Sequence, residues 1–199
     1  MEYTKDISQS ENGQRVEILK IIRLDVDRTY KLMKGGRLIK VINCIRSPGV
    51  QVMIILRFGQ WSMRQPKLVR LFTDPAYFLL NGILKIMWGI EIARVTQIGA
   101  GFYIGHFGGV TISPQAVIGN NCSISQGVTI GISGQGDKSG APTIGDNVYI
   151  AAGAKVFGKI TIGNNVKIGA NAVIYKDLPD NVIAVLSPGF QIISSTQKA

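Results

Sequence analysis

Two patterns of apolar positions divide the chain. Up to Trp88 the apolar residues follow broadly helical spacing, and from Ile98 an aliphatic residue returns every six positions. In the first part, Val16, Ile18, Leu19, Ile22, Leu24 and Val26 mark a helix over Val16 to Tyr30, punctuated by Gly35-Gly36. Pro48 and Gly49 provide a start signal ahead of Val50, Met53, Ile54 and Phe58, predicting a helix to Met63. Pro66 and Pro75 mark further breaks or starts, and Tyr77 to Trp88 is apolar enough for a buried helix. The expectation is four or so short helices between Arg15 and Trp88, with residues 1–14 loose.

The second part follows a different rule. Aliphatic starts stand at Ile98, Ile104, Ile112, Ile118, Ile124 and Ile130, then at Ile144, Ile150, Val156, Ile162, Ile168 and Ile174. Nine of the eleven steps are six residues long; the exceptions are an eight-residue step at Ile104 and a fourteen-residue step at Ile130. A six-residue strand and turn cannot bury its own aliphatic side chain, so successive coils must stack and place those side chains in columns. Twelve starts at three per triangular coil predict about four coils. Asn120, Asn121, Asp146, Asn147, Asn164 and Asn165 fall near the corners, where Asn and Asp fit tight turns. The two long steps are where a solenoid places function. The first holds the chain's one His, and the second is the polar excursion GISGQGDKSGAPT, which should loop out of the wall. The expected organisation is a loose segment at 1–14, a helical domain at 15–90, the solenoid at 91–185 and a tail at 186–199.

Charge and composition narrow the chemistry. The chain has 199 residues, 46% of them hydrophobic, and a net charge of +10. One His excludes a metal centre built on several histidines, and two Cys exclude a disulfide scaffold. No apolar leader opens the chain and no run of 18 apolar residues crosses it, so a cytoplasmic place is expected. Eleven basic residues and one acid, Asp74, lie between Arg28 and Lys85. That balance suits a solvated basic face or contact with an anionic surface such as the inner face of a membrane. No nucleic-acid module is recognisable in it.

The segments IGAGFYIGHFGGVTISPQAVIGNNCSISQGVTIG and TIGDNVYIAAGAKVFGKITIGNNVKIGANAVIYKDLP resemble the catalytic and CoA-binding coils of hexapeptide-repeat acyltransferases. Serine O-acetyltransferases and the related exopolysaccharide O-acetyltransferases are the members most similar. The resemblance covers Gly89 to Phe190, with fainter support from RLDVDR and the helical stretch around LRFGQW. It implies a mainly β fold: a left-handed parallel β-helix with an N-terminal helical domain. It also implies acetyl-CoA as co-substrate, homotrimers, and active sites between neighbouring subunits.

By that resemblance His106 is the general base, since acetyl transfer to a hydroxyl needs a group to take the proton and donors for the oxyanion. Glu91 stands where the family carries the Asp that orients the imidazole. The CoA groove would involve Gly131, Gly134, Ala152, Gly153 and Ala170, with Lys155, Lys159 and Lys176 able to meet phosphates or simply to be solvated. Several family positions differ. Gly105 precedes His106 in place of Asp, and Gly140, Ala141 and Pro142 replace an Arg-His-Pro triplet that helps hold an amino-acid carboxylate. Pro114 replaces a Glu, and Phe190 ends a Pro-Gly-Arg-like triplet. Loss of those charge partners favours, at this stage, a sugar hydroxyl in exopolysaccharide or capsule biosynthesis as acceptor, with L-serine as the alternative. Cys122 fills a small-residue slot and is expected to pack.

Overall fold

The computed structural model describes residues 3–136 and 139–186, with side chains from Glu17 onward. Four helices come first: α1 (Tyr3–Leu32), α2 (Arg37–Arg46), α3 (Pro48–Met63) and α4 (Lys67–Trp88). Four corrections to the helical expectation follow. Residues 3–14 belong to α1; they contain no proline and several good helix formers, so nothing local stops the backbone. The helices are not all short, since α1 has 30 residues and α4 has 22. Pro75 lies inside α4 rather than at a boundary. The turns around it are tied from outside: the Ser62 hydroxyl donates to Asp74 at 2.7 Å, and Tyr77 is buried against Gly59. The expectation of a buried Tyr77–Trp88 segment also fails, because Tyr77 is the one buried residue of α4 while Ile86 is 87% exposed. Among the described residues no single helix is long and apolar enough to cross a membrane.

Gly89 closes α4 in a left-handed conformation, φ 60°, and the solenoid starts at the next residue. Its strands are β1 (Ile90–Ile92), β2 (Gln97–Ile98), β3 (Tyr103–Ile104), β4 (Val110–Ile112), β5 (Val117–Ile118), β6 (Ser123–Ile124) and β7 (Thr129–Gly131). They continue with β8 (Thr143–Ile144), β9 (Tyr149–Ile150), β10 (Lys155–Phe157), β11 (Thr161–Ile162), β12 (Lys167–Ile168), β13 (Val173–Ile174) and β14 (Ile183–Ala184). Every strand takes the next of three parallel sheets in rotation as far as β13. The first sheet runs β1-β4-β7-β10-β13, the second β2-β5-β8-β11 and the third β3-β6-β9-β12-β14. The result is a left-handed parallel β-helix of about five turns. This is one turn more than the four expected from the twelve starts. Ile92 stands six residues before Ile98 and pairs with Ile112, so the repeat opens one unit earlier.

All twelve aliphatic starts are buried. They stack in register: Ile112 on Ile130 on Val156 on Ile174, Ile98 on Ile118 on Ile144 on Ile162, and Ile104 on Ile124 on Ile150 on Ile168. Each such side chain removed from water is worth about 1.5–3 kcal/mol. The corner between the second and third sheets carries a polar ladder. Asn121, Asn147, Asn165 and Asn181 adopt positive φ there, and the Oδ1 atoms of Asn120, Asp146, Asn164 and Asp180 each accept a backbone N–H from the preceding coil.

The helical part is welded to this wall by buried polar bonds. Arg57 of α3 and Asp25 of α1 form an ion pair at 3.0 Å with their side chains 2% and 4% exposed. Arg57 also donates to the carbonyls of Ile98 and Gly99, and Asp25 accepts the Phe102 N–H at 2.9 Å. Burial nevertheless pushes the Asp25 carboxyl above its ordinary value, with Arg57 pulling the other way. Arg28 reaches Ser123 at 2.8 Å. Gly49, in the first turn of α3, is pressed onto the third coil face: a Cβ there would stand 2.5 Å from the Ile104 carbonyl oxygen.

Candidate active site

The eight-residue step after Ile104 forms a bulged corner between the third and first sheets. Gly108 and Gly109 take positive φ, 101° and 66°, so the two extra residues swing outward without breaking the coil. The Gly108 N–H donates to the Trp88 carbonyl at 2.9 Å, and Val110 donates to Gly89 at 3.1 Å. The Phe107 ring meets Trp88 edge-on with centroids 5.1 Å apart, while Trp88 Nε1 donates to Gln51 of α3. The corner is therefore held from both neighbours.

His106 stands on this bulge with its side chain exposed, and it makes no hydrogen bond among the described residues. It lines a recess of about 230 Å³ together with Phe107, Asn43 and Arg46 of α2, Ser47, and Pro48 of α3. None of the residues around that recess is acidic. In the sequence Arg46 is one of the basic residues between Arg28 and Lys85, and Asn43 and Ser47 carry no motif. No local signal ties them to His106; docking of α3 onto the third sheet does.

Glu91 takes a different place from the one expected. Its carboxylate accepts from Lys85 Nζ at 2.7 Å and lines a separate recess of about 350 Å³ with Asn81, Arg94 and Thr111. No hydrogen bond joins it to His106 among the described residues. The physical reason is the strand alternation: Glu91 points outward from the middle of β1, toward the last turns of α4, while His106 lies on the corner beyond β3.

The expected CoA-groove residues fall on two edges. Ala152, Gly153 and Ala170 lie at the same edge as His106, between the third and first sheets. Gly153 keeps a φ of 73°, and a Cβ on it would collide with Asn171 Oδ1. Gly131, Gly134 and Lys176 lie at the opposite side of the first sheet, with the excursion of residues 132–142. That excursion leaves the wall as expected, pinned by paired backbone bonds between Ser133 and Gly140 at 3.1 Å; Gly140 also packs against Lys159. Lys155 is already engaged, donating to the Gly127 carbonyl at 2.6 Å and to Thr129 Oγ1 at 2.9 Å. Lys176 covers the Tyr175 ring at 5.6 Å. Neither ammonium is idle, which weakens the expectation that they await a phosphate. Cys122 is buried and donates to the Gly145 carbonyl at 3.1 Å, and burial pushes its thiol up, as suits packing rather than nucleophilic work. Phe190 and its neighbours lie outside the described residues.

Comparison with known proteins bears on this arrangement. Residues 141–176 match the family described as bacterial transferase hexapeptide (six repeats). The serine acetyltransferase of Synechococcus elongatus is 38% identical over 148 residues, which is 74% of this chain and 58% of that protein. The serine acetyltransferase of Mycobacterium tuberculosis is 38% identical over 159 residues, 80% of this chain and 66% of that protein. In structure, serine acetyltransferase isoform 3 of Entamoeba histolytica, solved in complex with cysteine, aligns with a TM-score of 0.74 at 36% identity. That alignment covers 92% of this chain and 62% of the other. The chain spans about three fifths of the length of the first of these curated relatives. By its repeat, its three-sheeted coil and these likenesses, the chain belongs to the hexapeptide-repeat transferase family and is similar to the serine acetyltransferases within it.

Proposed function

We propose that this chain is an acetyl-CoA-dependent O-acetyltransferase in which His106 is the general base. The observation that carries the reading is the exposed His106 on the register break, in a recess shared with donors from the helical part. As the acceptor oxygen attacks the thioester carbonyl, the imidazole takes the hydroxyl proton. Collapse of the tetrahedral adduct expels the CoA thiolate, which recovers that proton from the imidazolium. The glycines and alanines along the His106 edge, Ala152, Gly153 and Ala170, leave the wall low enough for a pantetheine arm to lie along it. Where acetyl-CoA binds, it supplies the activated acetyl group; no metal is required for the step.

L-serine is the acceptor the relatives favour, since those at 38–40% identity carry the name serine acetyltransferase. This reverses the acceptor preference drawn from the sequence. A sugar hydroxyl of exopolysaccharide or capsule biosynthesis stays as the second reading, favoured by one observation: Gly140, Ala141 and Pro142 offer no charge where a carboxylate partner was expected. The division of the groove supports a homotrimer. His106 and the Ser133–Gly140 excursion sit on different edges of one solenoid with the first sheet between them, so a neighbouring copy would bring an excursion to each His106. We place the enzyme in the cytoplasm. Peripheral contact with an anionic membrane face is a finer expectation resting on the basic helical part.

The test is CoA release from acetyl-CoA, comparing L-serine with a panel of sugars. His106→Ala should lower turnover about 10²- to 10⁴-fold while acetyl-CoA still binds. Unchanged turnover in that variant would remove His106 from the mechanism.

A further inference from the structure

The recess beside His106 is electropositive for reasons that the solenoid alone does not supply. Arg46, in the last turn of α2, is exposed and makes no ion pair or hydrogen bond among the described residues. Ser47 caps α3 with its backbone only, leaving its hydroxyl uncommitted, and the first turn of α3 carries no acidic residue. Asn43 lines the same recess, so three residues able to donate hydrogen bonds share it with the imidazole. Arg57 pairs with Asp25, Arg70 and Arg94 with Asp74, and Lys85 with Glu91. Arg46 has no carboxylate partner among the described residues, and it lines the recess that holds the proposed base.

We infer that Arg46, with Asn43 and Ser47, forms an anion-binding subsite that selects acceptors carrying a carboxylate or phosphate near the reacting hydroxyl. The inference rests on the reading of His106 as the base. Its geometry is that of a hydroxyl presented to the imidazole while the anionic group meets the guanidinium in the same recess. A cation in the last turn of α2 also suits the helix dipole, which by itself explains a basic residue there. It does not explain donors converging on the His106 recess without a single acid among them. The subsite also supplies, from a different element, the charge that Gly140 and Ala141 lack. It therefore admits L-serine through its carboxylate and a phosphorylated sugar through its phosphate, and disfavours a neutral sugar.

Two measurements decide it on the full chain. Steady-state transfer is followed with L-serine, glucose 6-phosphate and glucose as acceptors in the native protein, Arg46→Gln and Arg46→Lys. Arg46→Gln should raise KM for the anionic acceptor that is used by about 10- to 100-fold, with kcat and the KM for acetyl-CoA nearly unchanged, and Arg46→Lys should recover part of the loss. Because the chain has one His, its imidazole resonance in histidine-labelled protein reports this recess without any turnover. Inorganic phosphate should shift that resonance at concentrations at least tenfold lower in the native protein than in Arg46→Gln. A phosphate-insensitive resonance, or equal sensitivity in both proteins, overturns the subsite. So does His106-dependent transfer that treats glucose and the anionic acceptors alike in the native protein. If no acceptor turns over but phosphate shifts the resonance in an Arg46-dependent way, the subsite stands and the acetyl-transfer reading falls.

Discussion

The solenoid and the helical half use their apolar residues in opposite ways. In the solenoid all twelve aliphatic starts are buried. In α2 only Cys44 is buried and in α4 only Tyr77, while Leu38, Leu68, Phe72, Leu79 and Ile86 are each at least 66% exposed. The reason lies in what enforces register. Each solenoid coil is hydrogen-bonded to the next along three sheets, so a six-residue period leaves every start one direction to face. A helix satisfies its backbone internally, so its spacing defines a face without defining what that face meets. The helical half is attached to the wall through α3, whose Val52, Met53 and Leu56 join the apolar core, and through a few buried polar bonds.

The sharpest test of that contrast lies at the junction. Asp25→Ala leaves Arg57 charged and buried beside two backbone carbonyls, and a broken buried pair costs about 3–5 kcal/mol. Denaturant unfolding should show the loss, with the helical signal melting before the solenoid. A single coincident transition of unchanged midpoint would mean that the apolar contacts of α3 hold the junction instead. Inside the solenoid, Ile130→Ala removes a fully buried side chain stacked between Ile112 and Val156. It should destabilise by about 2–5 kcal/mol, read as a lower midpoint in the same experiment, because neighbouring coils are tied in register and cannot collapse into the cavity.

The smallest effect concerns Asp74, the one acid among the basic residues between Arg28 and Lys85. Arg94 at 2.6 Å, Ser62 and Arg70 hold its carboxyl well below the usual carboxylate range. A depressed folded-state pKa contributes stability that is present above the ordinary carboxylate value, about 4, and is lost as pH falls below it. Melting temperatures measured from pH 6 down to pH 2 should therefore decline less steeply in Asp74→Asn than in the native protein. Parallel curves would show that the three partners around Asp74 carry no pH-linked stability.

Individual residues show how far the sequence could be read. The six-residue period located the coils and the long step marked the His106 corner, since a repeat leaves few alternatives for the residues that obey it. Ile92 obeys the same period, but it directly follows the helical half, and its pairing with Ile112 is what assigns it to the coils. Pro75 misled because a proline signals a boundary locally, whereas here Ser62, Arg70, Arg94 and the buried Tyr77 hold both flanking turns in place. Glu91 was a matter of direction. Its position at the start of the first coil was legible, but its bond to Lys85 depends on where α4 ends in space.

Periodicity, glycine placement and the single histidine were enough to specify a stacked coil with one histidine-bearing corner, because those constraints act between residues a few positions apart or between identical repeats. The neighbours of that corner were not specified in the same way. Asn43, Arg46 and Ser47 lie about sixty residues before His106 in the chain, and no local pattern relates them. Their approach depends on Arg57 and Asp25 locking α1 and α3 onto the first coil and on Gly49 allowing the backbone of α3 against Ile104. Such long-range burial is settled by packing and desolvation in three dimensions, and only the folded molecule reveals which charges it leaves unpaired beside the proposed base.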